Sequence, residues 1–180
     1  MALTCKLNRH ILRSTACGYS LPEVKDIWLA AFSDIKTDVS ASTVPSGCTG
    51  EEVSILSGIS SFYHIEPAKN STTFEDALVV EDSGAKYRTH TLTFSINGKY
   101  DPCLHIDFDN LSLGRYVAIV AIADGNYLML GRLAGLEAET ATLTGGGDTN
   151  GMQIVLSANV AESVLPVAAA DAAQLPTGNE

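Results

Sequence analysis

Tyr116-Val117-Ala118-Ile119-Val120-Ala121-Ile122-Ala123-Asp124-Gly125-Asn126-Tyr127-Leu128-Met129-Leu130 is the stretch on which the fold turns. Its first seven residues are apolar without alternation, so a strand here must be covered on both faces; a central strand is predicted. Asp124-Gly125 is a turn dipeptide, and Tyr127 to Leu130 reads as the returning strand. A type I′ turn with both residues at positive φ is expected. Behind this hairpin, Thr140 to Thr144 and Met152 to Leu156 form a second one around the glycine-rich segment 145–151.

Upstream, His90-Thr91-Leu92-Thr93-Phe94-Ser95-Ile96 alternates cleanly, with Leu92, Phe94 and Ile96 inward and threonines outward. Asn97-Gly98 closes it. Thr73 to Val80 carries Phe74, Leu78 and Val80 on one side, and Glu81-Asp82-Ser83-Gly84 supplies a polar turn. Ser60 to Glu66 reads as a strand ended by Pro67. In Val24 to Phe32, apolar residues at 24, 27, 28 and 31 fit a helix, while the β-branched and aromatic content fits a strand; the strand is expected. Residues 36–52, rich in Ser, Thr, Gly and Pro, read as a long loop. Asp101-Pro102 looks like a helix start, and Leu104, Phe108 and Leu111 then share a face before Gly114. The competing strand would run from Leu104 to Phe108; the helix over 102–113 is preferred.

The expectation is a mainly β domain, a sandwich or barrel over residues 23–159 with one flanking α-helix. Strands are placed at 60–66, 73–80, 88–96, 115–122, 126–131, 138–144 and 152–158. Leu92, Phe94, Val117, Ile119, Leu128, Leu130, Ile154 and Leu156 are assigned to its core. Residues 1–22 read as an N-terminal arm and the Ala-rich residues 160–180 as a flexible or exchangeable tail.

The chain of 180 residues has a formal net charge of −10. Lys6, Arg9 and Arg13 precede the first acid, Glu23, and no Lys or Arg follows Arg132. Such a charge disfavours ordinary nucleic-acid binding; it suits solubility, or a face that meets a partner or repels a polyanion. No apolar run approaches the ~20 residues of a membrane-spanning helix, and no secretory leader is read at the N-terminus, so folding in a cytoplasm is expected. The cysteines at 5, 17, 48 and 103 form no CxxC pair and read as buried small hydrophobes.

No pattern of residues points to catalysis. The 145–151 cluster lacks Gly-Lys-Ser/Thr and is followed by a strand pattern, so a hairpin loop is preferred to a phosphate loop. Cys103, His105, Asp107 and Asp109 would line one face of a strand and could hold a metal; on a helix they spread apart. Asp107 to Asn110 opens like a calcium loop, but Ser112 stands where glycine is needed. No Gly-x-Ser-x-Gly elbow accompanies His10, His64, His90 or His105. The sequon Asn70-Ser71-Thr72 means little without secretion. No catalytic residue, cofactor or metal is expected.

Gly114-Arg115-Tyr116-Val117-Ala118-Ile119-Val120 through Asp124-Gly125-Asn126-Tyr127-Leu128-Met129-Leu130-Gly131-Arg132-Leu133-Ala134-Gly135-Leu136-Glu137, with the glycine-rich loop and Met152–Leu156 behind it, resembles tail-tube and related structural proteins of Bacteroidetes phages and prophages. The Cys17 to Phe32 segment and Ser61-Phe62-Tyr63 look similar too. The likeness is one of general pattern. It implies a tail-tube subunit of the virion, assembled in the host cytoplasm, that forms stacked, hexameric homo-oligomeric rings whose acidic channel passes DNA without specific binding. Partners implied are the tape measure, terminator and baseplate, with no membrane. Glu137 and Glu139 are the candidate channel-lining acids, and ring contacts fall to the 36–52 loop, the arm and the tail. A terminator or baseplate ring protein, the inner tube of a contractile injection apparatus, and an enzyme without a recognisable motif are the rival readings.

Overall fold

A computed structural model describes residues 23–35, 39–43, 51–55, 58–97, 102–145 and 151–177. In chain order they form β1 (Val24–Ala31), α1 (Phe32–Ile35), β2 (Val39–Thr43), β3 (Glu51–Ile55), a 3-10 turn (Gly58–Ser61), β4 (Tyr63–Ile65) and β5 (Thr73–Val80). Then follow β6 (Lys86–Ile96), α2 (Pro102–Leu113), β7 (Arg115–Ile122), β8 (Tyr127–Leu130), β9 (Leu136–Thr144), β10 (Gly151–Val160), β11 (Leu165–Pro166) and α3 (Ala169–Ala172). The protein is mainly β.

One antiparallel sheet runs β11-β8-β7-β9-β10-β6-β5, with β1 paired to β7 and β4 paired to β1. β7 and β9 share only Arg115↔Glu137 and Tyr116↔Leu136. At this narrow join the sheet folds into two leaves: β11-β8-β7-β1-β4, and β9-β10-β6-β5. Period-2 alternation sends Ile27, Leu29, Ala118, Val120 and Leu130 of the first leaf against Leu92, Phe94, Ile154 and Leu156 of the second. Each of these side chains other than Ala118 contributes roughly 1.5–3 kcal/mol. No closed barrel forms among the described residues.

The other face of the first leaf presents Trp28, Ala30, Val117, Ile119, Ala121 and Met129. Val53, Ile55, Phe62, Val167, Ala172 and Leu175 cover it. β7 is therefore buried on both faces, as its unbroken apolar run requires.

The covering layer overturns two expectations. β2, inside the expected 36–52 loop, and β3, which begins at the loop's end, form a two-stranded sheet paired from Val39↔Ile55 to Thr43↔Glu51. Ser and Thr are compatible with strands, and alternate Val53 and Ile55 supply the apolar side. Residues 160–177 are not a free tail: β11 pairs with β8, the Val167 amide donates to the Tyr127 carbonyl at 2.9 Å, and the Ala168 amide donates to the Val53 carbonyl at 2.8 Å. Small alanines let this segment lie close to the sheet, a mode of packing with no periodic signature. The expected 1–22 arm lies outside the described residues, as do residues 36–38 and 44–50 of the expected loop.

Smaller corrections follow. α1 and α3 add single turns to the one helix expected, and the 60–66 strand shrinks to β4 behind the 3-10 turn. The hairpin between β7 and β8 has no type I′ turn: Gly125 has φ 90°, and Asp124 is not at positive φ. The Ile122 carbonyl accepts from Gly125, and the Ile122 amide donates to the Asn126 carbonyl, giving a three-residue loop with glycine last. Of the expected core, Leu128 is half-buried and the rest are buried. α2 occupies the expected 102–113, and the Gly114 amide donates to Asn110 at its end.

Candidate functional site

Helix formation at 102–113 decides the metal question raised by Cys103, His105, Asp107 and Asp109. Residues two apart on a helix point about 200° away from one another, so alternate ligands cannot converge. Only His105 and Asp109, one turn apart, meet, at 3.7 Å on the surface. No group of three or more His, Cys, Asp or Glu among the described residues is placed to hold a metal. The glycine-rich segment joins β9 to β10, strand to strand, so no helix N-terminus follows it.

Among the described residues, His90 is the one buried polar or charged residue. Its Nδ1 accepts the Gly131 amide at 3.3 Å, which puts the proton of the neutral ring on Nε2. Nε2 faces Asp76 Oδ1 at 3.6 Å without a hydrogen bond. Burial holds this imidazole below its ordinary pKa, against the opposing pull of the Asp76 and Glu162 carboxylates. Asp76 in turn accepts from Arg88 at 3.1 Å and from the Val164 amide at 3.0 Å. Arg132 clasps Glu162 with two nitrogens. These contacts tie β5 and β6 to the turn after β8 and to the segment after β10. His90 is a joint between elements.

His64 sits differently. Its Nε2 meets Asp26 Oδ1 at 2.9 Å, its ring stacks on Trp28 at 5.1 Å between centroids, and it lines a cavity of about 520 Å³. A Ser-, Thr- or Cys-dependent hydrolytic constellation sets such a pair beside its nucleophile. None of the described residues lining this cavity is Ser, Thr or Cys. Asp26 and His64 are 38 positions apart, and nothing local in the sequence links them.

The remaining surface of note is the outward face of the second leaf. Cross-strand partners place Thr91 beside Glu75 and Ser157, Thr93 beside Thr73 and Val155, and Gln153 beside Thr142. Glu137 lies on this face opposite Ser157, and Arg115 Nε donates to it at 2.7 Å. Glu139 falls at the irregularity between Ala138 and Thr140, is exposed, and has no ion pair among the described residues. The structure thus brings both sequence-singled acids to one exposed strand, but gives one of them a cation.

Beyond the join with β7, neither rim strand of this leaf has a second strand partner along its outer edge among the described residues, although α2 packs near β9. β5 pairs only with β6, and β9 beyond Glu137 pairs only with β10. Exposed apolar side chains mark both rims: Leu78 and Val80 on β5, Leu143 on β9. The alternation set Leu78 and Val80 on one side with Phe74. They do share the core-side face, but the β5–β6 hairpin runs past the end of the core. Its length relative to the facing strands is the signal that would have exposed this.

No protein-family model, curated protein or solved structure matches the chain.

Proposed function

We propose that the chain is a structural subunit of a phage tail tube, joining head to tail into closed rings that stack around a DNA-conducting channel. The observation that supports this reading is the relative direction of β5 and β9. The second leaf has four antiparallel strands, so its two rim strands run in opposite directions. Copies related by rotation about a common axis then set β5 of one against β9 of the next in antiparallel orientation. A single unbroken ladder can circle the ring. Long unpaired rims are otherwise an aggregation hazard, and a heterologous contact that closes removes them. Leu78, Val80 and Leu143 are the apolar groups such a contact buries.

The outward face of this leaf would line the channel. Its threonines, serines and Gln153 are uncharged, and Glu75 and Glu137 supply its acids, with the exposed Glu139 at the irregularity beside them; Lys and Arg are missing among the paired residues of that face. Such a wall repels DNA phosphates. Because Arg115 partly neutralises Glu137, Glu139 and Glu75 carry more of this effect. Reversing Glu137 and Glu139 to lysine should leave rings intact but make them retain DNA; rings that ignore DNA equally in both forms would remove these acids from the channel.

Leu78→Lys with Val80→Lys tests the ring contact. Both positions are more than half exposed, so the fold should keep its stability. The doubly substituted protein should sediment as a folded monomer under conditions where the parent forms rings. Rings of unchanged size would refute the β5–β9 contact.

A further inference from the structure

We infer that the cavity between α2 and the first leaf binds a small organic cation, an alkylated ammonium ion whose apolar arm lies along the cavity wall. Tyr63 of β4, Phe108 of α2 and Tyr116 of β7 bring three aromatic rings to one space of about 520 Å³, within the ~300–1,000 Å³ of small-molecule sites. Leu29, Ile96 and Met152 add apolar wall. The face of an aromatic ring is negative, and a cation within ~6 Å of the ring centroid is held by it. An alkylated ammonium gives up less hydration than a bare one on entering such a site, and its alkyl arm gains from leaving water.

Charge around the cavity has the matching sign. Glu66 and Asp107 line it, both exposed, and none of the described residues lining it is Lys or Arg. Arg115, next to Tyr116 in sequence, is engaged by Glu137 and by the Phe32 ring, whose centroid lies 5.8 Å from its guanidinium carbon. Exposed carboxylates alone hold a small cation weakly, and rings alone accept neutral apolar molecules as well. Together they select an apolar cation over a metal ion, a neutral molecule or an anion. The wall is also set in advance. The Tyr116 hydroxyl donates to the Asn110 carbonyl at 2.7 Å, which joins β7 to α2, and Tyr63 is paired with Leu29 of β1. Phe108 and Tyr116 pack against the core between the leaves. Groups already held in place lose less freedom on binding.

The test is calorimetric titration of the full-length protein with hexyltrimethylammonium, hexan-1-ol and hexanoate, which share one alkyl chain and differ in the charge of the head. The cation should bind at least about tenfold more tightly than the alcohol, and hexanoate should bind most weakly. Glu66→Gln/Asp107→Asn should weaken the cation about threefold or more and leave the alcohol unchanged. Tyr63→Ala should weaken the cation too. These three positions are exposed, so thermal melts of the variants should match the parent. Nuclear Overhauser contacts should run from the N-methyl protons to the rings of Phe108 and Tyr116. Equal affinity for cation and alcohol, absence of cation binding, affinity unmoved by the substitutions, or N-methyl contacts only to other residues would each overturn the inference. Sedimentation of the protein with phosphatidylcholine vesicles, without binding of the free cation, would assign the head-group chemistry to a lipid surface and overturn it as well.

Discussion

The indole Nε1 of Trp28 donates to the backbone carbonyl of Pro176 at 2.8 Å, joining positions 148 residues apart. Trp28 lies on the first strand, and Pro176 follows the last helical turn, so one hydrogen bond closes the chain over its own beginning. Val167, Ala172 and Leu175 are buried in the same layer. Leu175→Ala should cost about 2–5 kcal/mol by leaving a cavity there, and Trp28→Phe about 1–3 kcal/mol by orphaning the carbonyl as well as removing ring contacts. Urea denaturation measures both. A Leu175→Ala protein within 0.5 kcal/mol of the parent, roughly the range of surface changes, would mean that the segment is not part of the cooperative fold.

Two glycines at positive φ separate strain from packing. Gly125, at 90°, has open space where a Cβ would go, so Gly125→Ala should cost only the backbone term of about 1–2 kcal/mol. Gly131, at 74°, would set its Cβ 2.7 Å from Leu136 Cγ, inside the core, beside the amide that holds His90. Gly131→Ala should therefore be the more damaging of the two. Thermal melts of the pair decide; equal losses would contradict the packing contribution at Gly131.

His90 makes stability depend on pH in a stated direction. Burial lowers its folded-state pKa below the unfolded value near ~6.5, so the unfolded chain binds more protons across that range. Its contribution is complete above the unfolded value and is lost as pH falls through it toward the folded one. Protonating Nδ1 also removes the acceptor of the Gly131 amide. Tm should therefore fall on acidification from neutral pH, and less steeply in His90→Gln, which retains an acceptor but cannot titrate. Asp76, Arg88, Arg132 and Glu162 surround the site in both proteins, and parallel profiles would assign the dependence to them instead.

Much of this fold was legible in residue order. The unbroken run from Val117 to Ile122 marked a strand covered on both sides, and the alternation through Leu92 and Phe94 marked a strand covered on one. Asp101-Pro102 and Gly114 bracketed α2 within a residue. What covers the second face of β7 was not legible. β3 is only five residues long, and residues 165–177 contribute scattered Val167, Ala172 and Leu175 without period. Their structure follows from long-range contact, not local preference. The surface carried less signal still: Asp26 and His64 meet through strand pairing of β1 with β4, and the unpaired rims of β5 and β9 exist only once the leaf is assembled. The acids at 137 and 139 were visible, but the cation beside Glu137 was not, since Arg115 reaches it across the join of the two leaves.

Electron microscopy of the purified full-length protein at rising concentration tests the central claim most directly. Closed rings of one diameter, stacking into tubes with an open axial channel, are the predicted result. A purified protein that remains monomeric at high concentration would contradict the account.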